Sequence, residues 1–118
     1  MLKPNKFKNN SFLSSLDIST QEILHLLELA KNLKNKNLKI NRKGKVLGLI
    51  FDKSSTRTRV SFQVAMARLG GTTIDINPST SQIGRGELIK DTARVLSRYC
   101  DVLAIRTFKQ SVLEEYAK

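Results

Sequence analysis

Apolar residues follow two spacings along the chain, and the two alternate. Apolar positions three or four residues apart predict four helices, at 19–34, 56–69, 87–99 and from 111 onward. Continuous or β-branched apolar runs predict three strands, at 46–52, 72–76 and 102–108. Residues 1–18 are predicted to be an irregular lead-in, and 77–86, rich in Gly, Pro and Ser, to be a loop.

Polar residues at the ends of these segments support the predicted helices. Ser19 with Glu22, and Ser111 with Glu114, have the spacing of a capping box, in which each residue of a pair bonds the backbone of the other. The glycine pair at 70–71 is typical of a helix end. The strongest helix boundaries are therefore at Ser19 and after residue 69.

Alternation of strands and helices predicts an α/β fold, with a parallel sheet and helices on both of its faces. In such sheets, ligands bind beyond the carboxyl ends of the strands. The turn at 53–58, the loop at 77–86 and Arg106 all fall at such ends. We therefore expect these segments to lie together although they are far apart in sequence.

The first of these turns, within FDKSSTRTRVSF (residues 51–62), is unusually rich in hydrogen-bond donors. A helix that starts near Thr56 directs free backbone N–H groups and its positive dipole end beyond the strand, which favours an anion. Ser55, Thr56 and Thr58 add hydroxyl groups, and Arg57 adds a planar guanidinium suited to two phosphate oxygens. The turn offers more donors than a carboxylate can use, so it predicts a phosphate site.

Other interpretations of this turn are also open. Ser and Thr are common helix caps, and arginines on a helix can be ordinary solvated surface. The glycines of GxxxxGK[ST] and of GxGxxG are missing, which disfavours a nucleoside triphosphate or a dinucleotide. Crowded positive charge is the cost of an anion site here, and an acidic neighbour would relieve it.

The composition adds a strongly basic balance to a globular chain. Of the 118 residues 40% are hydrophobic, enough for one domain, and no apolar run approaches the roughly 20 residues that cross a bilayer. The formal net charge is +11, but nearly half of the 21 basic residues are scattered over residues 1–45, and only 6% of residues are aromatic. A small anionic substrate is therefore favoured over nucleic acid or a membrane as partner.

Few residues outside the turn carry candidate chemistry. Arg106 is either a second phosphate or carbonyl contact or a strand-end arginine paired to an acid. His25 is interpreted as a surface or partly buried structural residue, and Cys100 as a small core or interface residue. With one histidine and one cysteine, the chain offers no metal-ligand cluster, no catalytic Ser/His/Asp or Cys/His set and no internal disulfide. This cysteine usage predicts a reducing, cytoplasmic location.

At this point the motifs together resemble a known family. F-x-K-S-S-T-R-T-R-V-S-F is similar to the carbamoyl-phosphate signature of the aspartate/ornithine carbamoyltransferases. VAMARLGG, QIGRGELIKDTARVLSRY and IRTF follow in the order typical of that family, so the resemblance spans residues 46–108. QIGRGE, with Arg85 where the aspartate branch usually has lysine, is more similar to the ornithine branch.

The resemblance implies roles for individual residues. Ser55, Thr56, Arg57 and Thr58 match the residues that hold the phosphate of carbamoyl phosphate. Arg106 matches the arginine that contacts the phosphate and the carbamoyl oxygen. Arg57 and Arg106 are accordingly the implied catalytic residues.

Three further positions are implied to complete the site. Gln82 matches a loop residue that a neighbouring subunit of a trimer donates. Glu87 matches an acid that pairs with a signature arginine, which would relieve the crowded positive charge. Arg59 is expected to point into the structure rather than at ligand.

The implied reaction is transfer of the carbamoyl group from carbamoyl phosphate to ornithine, which gives citrulline and phosphate without any cofactor or metal. The family has a second α/β domain and a His-Pro-x-Gln segment that the 118 residues lack. We therefore expect residues 1–118 to be the carbamoyl-phosphate-binding half of a two-domain enzyme that is a homotrimer when complete. Ornithine would bind through the missing domain, and the isolated half should be inactive.

The sequence is also consistent with other functions. The chain could belong to a carbamoyltransferase that acts on aspartate or another amine. It could also be a non-catalytic anion-binding or assembly module, or a basic RNA-binding domain, whose affinity would depend on salt.

Overall fold

The computed structural model describes residues 11–35, 39–51, 55–77, 89–107 and 109–118. The chain divides into two compact units, Met1–Ile40 and Asn41–Lys118. A 3₁₀ turn is followed in order by α1, β1, α2, β2, α3, β3 and α4. Their bounds are Ser15–Asp17, Thr20–Lys34, Val46–Phe51, Thr56–Arg68, Thr72–Ile76, Ile89–Tyr99, Val102–Arg106 and Gln110–Ala117.

In the first unit, α1 begins with the predicted capping box. The Glu22 N–H donates to Ser19 Oγ at 3.1 Å, and the Ser19 N–H donates to Glu22 Oε1 at 2.9 Å. The lead-in is less irregular than predicted, because Ser14 and Asp17 cap the 3₁₀ turn in the same reciprocal way. The same serine-to-acid spacing was readable in the sequence there.

The spacing of apolar residues correctly predicts the helix α1, but the side of the helix that carries these apolar residues is not the side that is buried. Ile23 and Leu27 are 41% and 62% exposed, whereas Glu22 and His25 are only 8% exposed. Of the two interpretations of His25, the buried structural residue is the one that the structure supports.

The second unit contains a parallel sheet with strand order β2-β1-β3, which confirms the predicted α/β class. Val46 pairs with Thr72 at the start of β2, and Leu47 pairs with Val102 at the start of β3. Successive side chains of a strand point to opposite faces. Leu49 is 0% and Ile50 is 2% exposed, so both faces of β1 are covered.

One face of the sheet packs against α2. Leu47, Leu49 and Phe51 form the core cluster, with Met66 of α2 against it. The ring of Phe51 meets that of Phe62 edge to face, at 6.4 Å between centroids and 87° between planes. The crossovers β1-α2-β2 and β2-α3-β3 run in opposite directions across the sheet, so right-handed connections place α2 and α3 on opposite faces.

On the opposite face, β1 comes unusually close to Leu103 of β3 and to Cys100 just before that strand. A Cβ at Gly48 would lie 2.7 Å from Leu103 Cδ2 and 3.0 Å from Cys100 Sγ. Only glycine fits this approach without a shift of its neighbours. Burial raises the pKa of the Cys100 thiol, and the negative charge of the Asp101 carboxylate raises it further. Cys100 is therefore a packing residue, as the sequence indicated.

The ends of the other elements follow local chemistry. Gly70, with φ of 86°, closes α2 as predicted, because this left-handed conformation favours glycine. The predicted capping box of Ser111 with Glu114 is wrong. The helix begins at Gln110, so Ser111 already lies inside it, and the cap position is Lys109, which makes no side-chain capping bond.

None of the described helices has both the length and the apolarity needed to span a membrane.

Substitution of Leu49 by alanine tests whether β1 is the centre of the core. Because Leu49 is 0% exposed, Leu49→Ala should lower the free energy of unfolding by about 2–5 kcal/mol. Urea denaturation followed by circular dichroism measures this change. Leu16→Ala is the matched control, since Leu16 is 94% exposed, and it should cost no more than about 0.5 kcal/mol. Equal losses in the two variants would contradict a core centred on β1.

The pH dependence of Cys100 alkylation tests the environment of the thiol. Iodoacetamide reacts with the thiolate, and burial and Asp101 raise the pKa of this group in the folded chain. Alkylation of the folded chain should therefore reach half of its maximal rate at a higher pH than alkylation of the same chain in denaturant. A lower midpoint in the folded state would instead indicate an activated thiol.

Candidate functional site

The start of α2, at the carboxyl end of β1, has backbone donors for which the described residues supply no acceptor. Ser55 occupies the cap position, but its side chain makes no capping hydrogen bond. The first bond of the helix runs from the Arg59 N–H to the Ser55 carbonyl at 3.0 Å. The N–H groups of Thr56, Arg57 and Thr58 therefore have no acceptor inside the helix. This arrangement disfavours the interpretation of Ser55 as an ordinary helix cap.

The Ser55 hydroxyl instead accepts a hydrogen bond from Arg106. The distance from Arg106 Nη1 to Ser55 Oγ is 2.8 Å, although the residues are 51 positions apart in sequence. Arg106 pairs in register with Phe51, so it ends β3 beside the strand that leads to Ser55. The sheet topology thus brings the turn and Arg106 together, as the sequence predicted.

The signature residues after Ser55 differ in exposure. Thr56 and Arg57 are exposed, whereas Thr58 is half-buried. The carbonyl of Thr58 accepts a hydrogen bond from the Ser61 hydroxyl at 2.8 Å, inside the helix. The Arg57 side chain is therefore open to solvent, in the same turn whose N–H groups have no acceptor inside the helix.

Arg59 points into the fold rather than into this space. Its Nη1 lies 3.7 Å from Asp75 Oδ2, and the two side chains are 34% and 37% exposed. Arg59 Nε is buried and has no hydrogen-bond partner among the described residues. This orientation confirms the expectation that Arg59 points into the structure. Its Nε–H can still donate to a further acceptor.

Asp75 is the residue of this site that the sequence reasoning missed. The first turn of α2 contains no acidic residue, while Arg57, Arg59 and Arg106 bring positive charge to one region. Asp75 supplies a balancing carboxylate from β2. The signal in the sequence was a charged residue inside the β-branched strand TTIDI. In the structure, the register of the sheet places this residue beside Leu49.

The other predicted members of the site, Gln82 and Glu87, lie outside the described residues, as does Arg85. Their roles stay predictions.

The opposite end of the sheet is closed by hydrogen bonds. The Val46 N–H donates to Asp101 Oδ2 at 2.8 Å, and the Asp101 N–H donates to the Val46 carbonyl at 2.9 Å. The Lys45 ammonium lies 3.8 Å from Asp101 Oδ1. Backbone donors at this end are thus satisfied within the fold, in contrast to those at the start of α2.

A cleft of about 540 Å³ lies between α3 and α4, away from the start of α2. Its lining mixes cations such as Lys90 and Arg94 with Glu114 and Glu115. Neighbouring carboxylates make it a poor anion site, so the start of α2 is the better candidate.

Taken together, the start of α2 and the end of β3 can bind an oxyanion. The free N–H groups and the helix dipole favour negative charge, the hydroxyls of the signature can donate, and Arg57 and Arg106 can each bind two oxygens. The same donors would stabilise negative charge that develops on a phosphate leaving group or a carbonyl oxygen.

Comparison with known proteins finds relatives in sequence and in fold. The family described as "Aspartate/ornithine carbamoyltransferase, carbamoyl-P binding domain" matches residues 10–118. An ornithine carbamoyltransferase of Prochlorococcus marinus (strain MIT 9312) is 75% identical over 118 residues, which is 100% of this chain and 38% of that protein. One of Nostoc punctiforme is 59% identical over 105 residues, which is 89% of this chain and 34% of that protein.

Solved structures agree with these sequences. The ornithine carbamoyltransferase of Gloeobacter violaceus has a TM-score of 0.79 and 53% identity, covering 90% of this chain and 34% of that one. An aspartate transcarbamoylase of Trypanosoma cruzi in complex with carbamoyl phosphate has a TM-score of 0.83 and 34% identity, covering 94% and 38%. The chain therefore spans little more than a third of the length of these relatives.

Replacement of Arg57 by alanine tests the anion site. The exposed guanidinium should contact a bound anion without contributing to the core, so Arg57→Ala should weaken inorganic phosphate binding about 10- to 100-fold and leave thermal unfolding unchanged. Calorimetry and circular dichroism measure the two quantities. Arg68→Ala is the matched control, because Arg68 carries the same charge in the last turn of α2. Phosphate affinity that survives Arg57→Ala, or that falls equally with Arg68→Ala, would contradict the site.

Proposed function

The chain belongs to the aspartate/ornithine carbamoyltransferase family, and from that membership we propose that it supplies the carbamoyl-phosphate half-site of an ornithine carbamoyltransferase. The single observation that carries this proposal is the uncapped start of α2, with Arg106 hydrogen-bonded to Ser55 beside it. Free N–H groups, hydroxyls and two guanidinium groups there match the phosphate and carbonyl oxygens of carbamoyl phosphate.

In the proposed binding mode, the phosphate lies against the first turn of α2. Ser55, Thr56 and Thr58 donate from their hydroxyl or backbone groups, and Arg57 binds phosphate oxygens through its planar fork. Arg106 reaches both a phosphate oxygen and the carbamoyl oxygen from the end of β3. Its hydrogen bond to Ser55 already places its guanidinium at the helix end.

The proposed reaction is attack of the uncharged δ-amine of ornithine on the carbamoyl carbon. The C–N bond forms, the C–O bond to phosphate breaks, and the proton that the amine loses passes to the leaving phosphate, which gives citrulline and phosphate. Negative charge grows first on the carbonyl oxygen and then on the leaving phosphate. Arg57, Arg106 and the helix N–H groups are preorganised for those charges, so catalysis comes from electrostatics and from the positioning of two reactants.

Further parts of this proposal concern residues and partners beyond the described contacts. Glu87 would pair with the signature arginine and relieve the crowded positive charge of the anion site. Gln82 would complete the site of a neighbouring subunit in a homotrimer. Residues 1–118 would form the carbamoyl-phosphate-binding domain, and ornithine would bind to a second domain. A cytosolic location suits the single cysteine.

Ornithine is preferred over aspartate as acceptor because the ornithine carbamoyltransferases compared above are 53% to 75% identical, whereas the aspartate transcarbamoylase is 34% identical. The surfaces that join the two halves of an enzyme must be complementary for both substrates to meet. Joining this chain to the second half of an ornithine enzyme or of an aspartate enzyme therefore tests which of the two branches of the family it belongs to.

Two fusions test the proposed function. Residues 1–118 are joined to the remainder of the Prochlorococcus marinus enzyme or to the remainder of the Trypanosoma cruzi enzyme, each cut where its similarity to this chain ends. The first fusion should form citrulline from carbamoyl phosphate and ornithine, because it restores a complementary acceptor half, and the second should form far less carbamoyl aspartate. The chain alone should form neither product. Colorimetric detection of the ureido group measures both.

An Arg57→Ala version of the first fusion is the control for the half-site and should lose kcat/KM. The ornithine assignment would be wrong if the aspartate fusion were the more active of the two. The half-site itself would be wrong if the first fusion folded, bound ornithine and still formed no citrulline.

A further inference from the structure

We propose that Asp75 is a positioning residue that holds Arg59 and thereby fixes the first turn of α2 in the orientation that binds phosphate. The inference rests on the proposed function, because it concerns the same anion site. Asp75 touches no ligand in this proposal. It acts through the helix that carries the binding groups.

The position of Asp75 follows from the register of the sheet. Asp75 pairs with Leu49 across β2 and β1, so its side chain lies on the face that α2 covers. From there its Oδ2 lies 3.7 Å from Arg59 Nη1. Arg59 directly follows Thr58 in the helix, so the carboxylate acts on the turn that carries the signature.

Confinement of the Arg59 side chain makes this contact effective. Only 34% of the side chain is exposed, and its Nε is buried without a partner among the described residues. A partly buried guanidinium needs a nearby counter-charge more than a solvated one does. In this proposal, the Asp75 carboxylate is the counter-charge that orients the guanidinium and, with it, the start of the helix.

A second anchor holds the same turn from the other side. Ser55 is bound by Arg106 of β3, whereas Arg59 is bound by Asp75 of β2. The remaining signature residues, Thr56 to Thr58, lie between these two anchors. Two contacts to strands on opposite sides of β1 restrict both shift and rotation of the helix end, and displacements near 1 Å are enough to weaken a preorganised site.

The sign of the effect separates this role from simple electrostatics. The negative charge of Asp75 opposes the approach of an anion. If Asp75 acted only through its field, its neutralisation would strengthen phosphate binding. If it positions the turn, neutralisation weakens binding although the site becomes more positive.

The experiment is a ³¹P NMR titration of inorganic phosphate with the whole chain and its Asp75→Asn variant. Asparagine keeps the shape of the side chain but not its charge. The Kd for phosphate should rise about three- to tenfold, while the thermal unfolding midpoint should change little, because a surface pair contributes little to stability.

Asp101→Asn is the matched charge control. Asp101 forms a similar pair with Lys45 at 3.8 Å, but at the amino end of the sheet. The substitution removes the same charge and should leave the Kd for phosphate unchanged. Asp75→Glu, which retains the carboxylate, should restore most of the affinity.

Arg59→Lys provides a second and independent test if Asp75→Asn does not fold. It conserves the charge but replaces the planar guanidinium with an ammonium group, so a loss of phosphate affinity reflects the changed contact rather than a lost charge. A loss of similar size to that of Asp75→Asn is expected. Unchanged affinity in Arg59→Lys would overturn the proposal. Unchanged or tighter binding by Asp75→Asn, or an equal loss in Asp101→Asn, would overturn it as well.

Failure of this inference is distinguishable from failure of the proposed function. If the unsubstituted chain binds phosphate and Arg57→Ala does not, the anion site stands, and the Asp75 variants alone decide the positioning role. If the unsubstituted chain binds no phosphate, both the site and the role of Asp75 are refuted.

Discussion

The hydrogen bond from Arg106 to Ser55 is the interaction on which the candidate site depends. It joins the end of β3 to the start of α2 at 2.8 Å, and it uses the serine that would otherwise cap the helix. Because Ser55 makes no side-chain capping bond, the first N–H groups of α2 stay available to a ligand. One contact thus both positions a guanidinium and leaves the helix end open, which is the combination that an oxyanion requires.

Burial of β1 makes that geometry rigid. Leu49 and Ile50 are nearly inaccessible, so both faces of the central strand are packed and its carboxyl end is fixed with respect to β2 and β3. The amino and carboxyl ends of the sheet differ in their hydrogen bonding and charge. Asp101 closes the amino end through Val46 and Lys45. At the carboxyl end there are several arginines, and the first N–H groups of α2 have no acceptor among the described residues. Packing energy from β1 therefore maintains an arrangement of like charges that would not assemble by itself.

Membership of the aspartate/ornithine carbamoyltransferase family fits this asymmetry, since the family model that matches is described as a carbamoyl-P binding domain and a phosphate is an oxyanion. The balancing charge comes from a place that the family motif does not indicate. Asp75 lies on a neighbouring strand and pairs with Arg59, so the signature is held by side chains from β2 and β3 as well as by its own helix. The site is a property of three strands and one helix together.

The sequence by itself determined the alternation of elements, the bounds of β2, the capping box of α1 and the donor-rich start of α2, because these depend on neighbouring residues and on local periodicity. It did not determine the cap of α4, where the helix begins one residue before Ser111. It also did not show that Leu24, Leu26 and Leu27 of α1 stay exposed while Glu22 and His25 are buried. Only the tertiary structure decided that Ser55 accepts from Arg106 and that Asp75 meets Arg59, because each contact joins residues brought together by the order and register of the strands.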